Sequence, residues 1–156
     1  MEKDILKLEL RAIDGANKNI VELLEVSDSQ KQYIASNKVS LETAAKEEYR
    51  EIARPFAIYA DGEIVGFTMF AFELTSSDPN DRYWLWRFMI DKNVQGKGYG
   101  SMALENIIAY FKDHGADHIL LSTKESNTVA LSLYHKYQFV ETGEMNDAEI
   151  VLRLNL

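Results

Sequence analysis

The run QGKGYG, residues 95 to 100, sets Gly96, Gly98 and Gly100 in alternation with Lys97 among them. It stands between an apolar run and a helix-patterned stretch. Glycine costs order in such a place unless backbone geometry or a close approach requires it. A strand that ends in a glycine-rich turn and opens a helix exposes several backbone N–H groups, and the helix dipole adds positive character. That is an anion site by construction, matched to phosphate. Gly98 and Gly100 would leave room for close approach by lacking Cβ atoms. Lys97 is either a point charge near the phosphate or a solvated loop lysine. Two phosphate-binding patterns fail on spacing: G-x-x-x-x-G-K-[ST] does not occur, and G-x-G-x-x-G is replaced by G-x-G-x-G with no strand–helix–strand unit ahead of it.

A second group of polar and aromatic residues lies in SNTVALSLYHKYQF, residues 126 to 139. Ala130, Leu133, Tyr134 and Tyr137 share one helical face, and by pattern alone Tyr134 and Tyr137 are core aromatics. Asn127 stands where it would cap that helix. The histidines His114, His118 and His135 form no metal set, because Gly115 breaks the first pair, and a helix-ending or surface role is expected for each. Absence of cysteine excludes disulfides, a thiolate nucleophile and Cys-ligated zinc. A net charge of -8 argues against phosphate-backbone binding, so no nucleic-acid partner is expected. The acidic balance suits a cationic substrate, and equally plain solubility. No apolar stretch approaches ~18 residues, and MEKDILKLEL shows no secretory leader. No metal, no membrane partner and a cytoplasmic location are expected.

The elements that must position these groups follow from periodicity. ILKLELRAI (5–13) alternates as a half-buried strand, and ANKNIVELLEV then sets Ile20, Leu23 and Leu24 at helical spacing. Ser27 or Asp28 would cap a short helix through Tyr33, and Ser40 a longer one with Glu42 in its first turn. RPFAIYA (54–60) and EIVGFTMFAFEL are strands joined by Asp61-Gly62, a strong hairpin signal. YWLWRFMID reads as a central strand buried on both faces. Leu104, Ile107, Ile108 and Phe111 lay a helix on the sheet; HILLS and AEIVLRLNL are further strands. The expected fold is one domain over 1–156, an α+β three-layer mixture around a mostly antiparallel sheet of about six or seven strands.

Read as Gln95, Gly98 and Gly100, the turn resembles the acyl-CoA-binding motif Q/R-x-x-G-x-G/A of the GCN5-related N-acetyltransferases. Asn127, Ala130, Leu133, Tyr134 and Phe139 resemble that family's second motif, and AIYADGEIVGF its hairpin before the central strand; the likeness covers about residues 54 to 142. The resemblance implies an acetyl-CoA-dependent N-acetyltransferase. The CoA pyrophosphate would sit on Gln95, Gly96, Lys97, Gly98, Tyr99, Gly100 and Ser101, and pantetheine would pair with Phe88 and Ile90. Asn127 would bind the cofactor or cap its helix, and Tyr134 would protonate the leaving thiolate. A non-catalytic acyl-CoA-binding module is the alternative.

There are two departures from the pattern. Gln138 stands where the family has glycine before the final Phe. The central-strand glutamate of some polyamine acetyltransferases is replaced by Trp86, which leaves Glu73 or a water chain for the amine's proton. Residues 23 to 44, together with RFMIDKNVQGKGYG, look like the bacterial spermine/spermidine and diamine branch, so a small di- or polyamine is the expected acceptor, ahead of an aminoglycoside or a protein lysine. Glu22, Glu25, Asp28 and Glu42 are its candidate partners, and a homodimer is open.

Overall fold

The protein is described from a computed structural model covering residues 6–156. Seven strands form one sheet: β1 Leu8–Ala12, β2 Ala53–Ala60, β3 Glu63–Phe72, β4 Tyr83–Ile90, β5 His118–Thr123, β6 Val140–Asn146 and β7 Glu149–Asn155, in the order β1-β2-β3-β4-β5-β7-β6. All neighbours are antiparallel except β4 and β5, which are parallel. The expected α+β architecture is therefore found. Ile5, first residue of the expected opening strand, lies outside the described residues.

The helices are α1 Lys18–Leu23, α2 Asn37–Ala44, α3 Tyr99–Asp113 and α4 Thr128–Lys136. Alternation along β3 sorts its side chains between two faces. Phe67 and Met69 pack with Val21, Leu41 and Ala44 of α1 and α2. Phe70 and Phe72 pack with Leu104, Ile107 and Phe111 of α3, and Leu131, Leu133 and Tyr134 of α4 join that side. The Asp61-Gly62 turn takes positive φ at both residues, 49° and 83°, as a two-residue hairpin matching the strand twist requires.

Several expectations are corrected. The buried residue of α1 is Val21, while Ile20 and Leu23 are exposed. Only a 3-10 turn over Asp28–Gln30 follows Ser27, and the Ser27 side chain does not cap it. The cap of α2 is Ser36, whose Oγ accepts from the Val39 N–H at 3.2 Å; Ser40 lies inside the helix, buried, and receives the Arg87 Nε–H. Glu42 accordingly falls beyond the first turn. β4 is mostly half-buried, because its far edge opens to a cleft. His118 is fully buried in β5, its Nδ1 paired with Asp117 and its ring edge-on to Tyr83, whereas His114 ends α3 and stacks on Tyr110. β6 has no apolar alternation and was not expected as a strand; it is exposed throughout and held by pairing with β7.

Gln138 follows the last turn of α4 with φ 74°, the left-handed conformation that glycine adopts without penalty. An L-residue there costs roughly 1–2 kcal/mol, partly offset by the roughly 0.5–1 kcal/mol of extra chain entropy glycine loses on folding. Gln138→Gly should therefore stabilise the protein by about 0.5–1 kcal/mol, read as a melting-temperature rise of about 1–4 °C.

Candidate active site

β4 and β5 are paired only at Trp84 and Leu120, then diverge. The cleft they leave has a volume of about 880 Å³. On the β3 side of β4 the Arg87 carbonyl accepts the Thr68 hydroxyl at 2.7 Å, and the Met89 carbonyl crowds Gly66, where any Cβ would collide with it. Backbone groups alternate in direction along a strand, so Phe88 and Ile90 turn theirs toward the opening. Trp86 is the extra residue of a β-bulge opposite Met69 and Phe70, which bends β4 at the point of divergence.

The glycine turn closes one end of this cleft. Gly96 and Gly98 have φ of 80° and 83°, and Gly98 is the N-cap of α3. A Cβ at Gly98 would meet no atom within 4 Å, so glycine is required there by its conformation, not by crowding within the protein. Gly100 has an ordinary φ, and a Cβ there would rest 3.7 Å from Leu133. The first-turn N–H groups of α3 have no intrahelical acceptors and no capping side chain. Gln95 donates to the Ile90 carbonyl at 2.9 Å and to Gln30 at 3.0 Å, pinning the turn to β4 and to the segment above it.

Of the residues expected to hold the cofactor, Phe88, Ile90, Gln95, Gly96, Gly98, Tyr99, Gly100, Ser101, Asn127 and Tyr134 all line the cleft. Lys97 is exposed and does not. A cation that the sequence did not single out, Lys136 of α4, reaches to 3.5 Å from Ser101 Oγ. Asn127 does not cap α4 with its side chain; its Nδ2 donates to Thr123 Oγ1 at 3.1 Å, tying α4 to the end of β5. Tyr134 is half-buried on the cleft wall against Phe139, and burial pushes its phenol well above the ordinary value, so it stays protonated. Tyr137, expected as packing, also donates to Glu105 at 2.8 Å and to the Ser101 carbonyl at 3.2 Å, joining α4 to α3.

The acidic candidates fare differently. Glu25 is paired with Lys92 and with Lys31 at 3.4 Å, and Asp28 with Lys31 at 3.0 Å. The Lys92 hydrogen bond first, and Lys31 beside it, hold the Glu25 carboxyl below its ordinary value; Lys31 does the same for Asp28. Glu22 lies 3.9 Å from Lys18, and Glu42 is exposed on α2. None of these four lines the cleft. Among the described residues, the cleft's one carboxylate is Glu149, at the start of β7, and its cations are Lys31 and Arg87. Burial lowers the Arg87 guanidinium from its ordinary value, with Glu149 opposing the shift. Glu149 was missed because it lies beyond the stretch that carries the sequence likeness.

Glu73 is not in the cleft. It lines a second cavity of about 390 Å³ with Asp81, Glu144, Tyr49, Trp84 and Trp86, and Trp86 and Asn146 belong to both walls. Burial, and then the Asp81 charge, raise the Glu73 carboxyl above its ordinary value. Among the described residues no group of three or more His, Asp or Glu could hold a metal, and no helix is long and apolar enough to cross a membrane.

The model of the acetyltransferase (GNAT) family matches residues 20–139. The chain belongs to this family. It is 35% identical over 144 residues to a probable spermine N(1)-acetyltransferase of Bacillus subtilis subsp. natto (strain BEST195), covering 90% of this chain and 93% of that one. It is 34% identical, with the same coverage, to the spermine/spermidine N(1)-acetyltransferase of Bacillus subtilis (strain 168). In fold it is similar to the spermidine N-acetyltransferase from Vibrio cholerae solved with CoA and spermine, with TM-score 0.70, 20% identity and coverage of 96% and 94%. The aminoglycoside acetyltransferase AAC(6')-Ib solved with coenzyme A gives 0.75 at 15% identity, covering 96% and 95%. The protein is thus an enzyme, an N-acetyltransferase that uses acetyl-CoA.

The two glycines separate by cause. Gly98→Ala, at φ 83°, should cost about 0.5–1 kcal/mol after the same entropy offset and lower the melting temperature by about 1–4 °C, while Gly100→Ala, free of that conformational cost, should leave it unchanged or raise it by up to about 4 °C. Thermal melts of the two variants check this.

Proposed function

We propose that the enzyme acetylates a di- or polyamine such as spermidine or spermine, with Tyr134 as the general acid. The observation that carries the acceptor reading is the second cavity. Its carboxylates Glu73, Asp81 and Glu144 and its aromatic walls Trp84, Trp86 and Tyr49 suit an ammonium group, through charge and through ring faces. The shared wall at Trp86 and Asn146 sets it beside the cleft, where a long flexible cation would reach it. The polyamine acetyltransferases at 34–35% identity support the same reading.

The cleft fits the acetyl donor on three counts. The left-handed glycines and free N–H groups at the head of α3 suit a pyrophosphate, with Lys136 adding charge. Phe88 offers its backbone groups to the opening, and Ile90 its N–H, its carbonyl being taken by Gln95; these suit pantetheine amides. Lys97, Glu22, Glu25, Asp28 and Glu42 lie outside the cleft and take no direct role. Acetyl-CoA supplies a thioester carbonyl open to attack by an amine. Tyr134, whose phenol is protonated at neutral pH and lines the cleft, gives its proton to the departing sulfur. The packing of Tyr134 on Phe139 holds its ring on the cleft wall.

Thiol release from acetyl-CoA with putrescine, spermidine, spermine, an aminoglycoside and a lysine peptide tests the acceptor. Turnover confined to the di- and polyamines is the expected result, and turnover only with the last two overturns it. Tyr134→Phe should lower kcat about 100-fold or more while CoA affinity, by calorimetry, stays within about twofold. Wild-type kcat would remove the acid role. Glu73→Gln with Glu144→Gln should raise the KM for spermine about threefold to tenfold and leave that of a simple monoamine unchanged.

A further inference from the structure

We propose that Glu149 receives the acceptor amine, its carboxylate binding the ammonium group and taking the proton that must leave before attack. This rests on the polyamine reading and assigns the step that the family's missing strand glutamate left without an owner. The position of the side chain is the first argument. Glu149 lines the same cleft as Tyr134 from the start of β7, the strand beyond β5, and the β4 bulge residue Trp86, which lines it too, holds the place of the absent glutamate. Among the described residues no other carboxylate lines this cleft. Glu25 and Asp28 are already engaged by lysines, and Glu73 belongs to the neighbouring cavity.

How the carboxylate is held is the second argument. Ser122 Oγ donates to Glu149 Oε1 at 3.1 Å, and Asn146 Nδ2 donates in turn to Ser122 Oγ at 3.5 Å. One oxygen is thus fixed by the end of β5, so the group is oriented and Oε2 is left to meet a ligand. Asn146, the next residue in this chain of hydrogen bonds, also lines both cavities. An amine anchored on Glu149 therefore stands where the rest of its chain can pass Asn146 and Trp86 into the second cavity. Arg87, in the same cleft, is turned to Ser40 and to the Trp86 carbonyl, at 3.3 and 3.0 Å, and makes no ion pair with Glu149.

The proton ledger closes. The ammonium gives one proton to Glu149, and its freed lone pair forms the new C–N bond as the C–S bond breaks. The sulfur takes the Tyr134 proton, the second proton lost by nitrogen restores the phenol, and Glu149 passes its own to water. One proton is released per amide formed.

Glu149→Gln keeps the acceptor oxygen for Ser122 and removes the charge. Spermine binding to the CoA complex, by calorimetry, should weaken tenfold or more, with CoA affinity and melting temperature unchanged and kcat/KM for spermine down at least 100-fold. Glu149→Asp should recover part of both losses. Spermine affinity and kcat/KM within threefold of wild type in Glu149→Gln would overturn the assignment. Should the wild type ignore polyamines and turn over another amine of the panel, the acceptor reading fails, and the same comparison on that amine decides the role of Glu149.

Discussion

A single paired position, Trp84 with Leu120, holds the two halves of the sheet together before they part. On one side of it β1 to β4 lie antiparallel in sequence order; on the other β5, β7 and β6 form a second antiparallel set, with β7 between the other two. A parallel pair needs a long crossover, and α3 supplies it, so the helix that spans the join also presents its N-terminus at the mouth of the opening. The unpaired backbone edge, the anion-suited turn and the phenol on α4 all face one space because the sheet fails to close there. Filling that gap with ladder hydrogen bonds would remove the cleft and leave the rest of the fold intact.

The cleft is kept open by contacts on its rims. Phe70, Phe72, Phe111 and Tyr110 form an aromatic cluster with ring centroids 4.8 to 6.4 Å apart, fixing α3 on the sheet. Gly66 lets β3 come close to the Met89 carbonyl of β4, where any Cβ would collide. Over the opening, Gln30 meets Gln95 and Tyr33 donates to Ser126 at 3.2 Å, so the segment after α1 touches both walls. Lys92, just beyond β4, holds that segment down through Glu25.

Much of this was legible in the sequence because it rests on local rules. The Asp61-Gly62 hairpin, the apolar face of α3 and the glycine turn each carry their signal within a few residues. Other parts depended on distant partners. β6 exists because β7 offers an edge, and its own residues, VETGEMN, show no alternation to announce it. Ser40 looked like a helix cap until Arg87, far along the chain, claimed its hydroxyl. Glu25 looked free for a cation because one of its two lysine partners, Lys92, is remote in sequence. Glu149 gave no signal at all: its place on the cleft wall depends on β7 pairing with β5, whose Ser122 holds it. Gln138 departs from the expected glycine, and the chain still takes the glycine conformation there, which shows tertiary packing overriding a local preference.

The bond from Tyr137 to the Ser101 carbonyl and Glu105 ties the far end of α4 to the first turns of α3. With Leu133 lying against Gly100, the two helices cannot spread independently. Under the proposed assignment, this tie fixes the span from the anion-holding turn to the Tyr134 hydroxyl. The cleft then acts as a ruler: a thioester is protonated on departure only when its sulfur lies one pantetheine arm away from the phosphates. Carriers with shorter or longer arms would be gripped at one end and miss at the other, so selection of the donor is made by length as much as by chemistry.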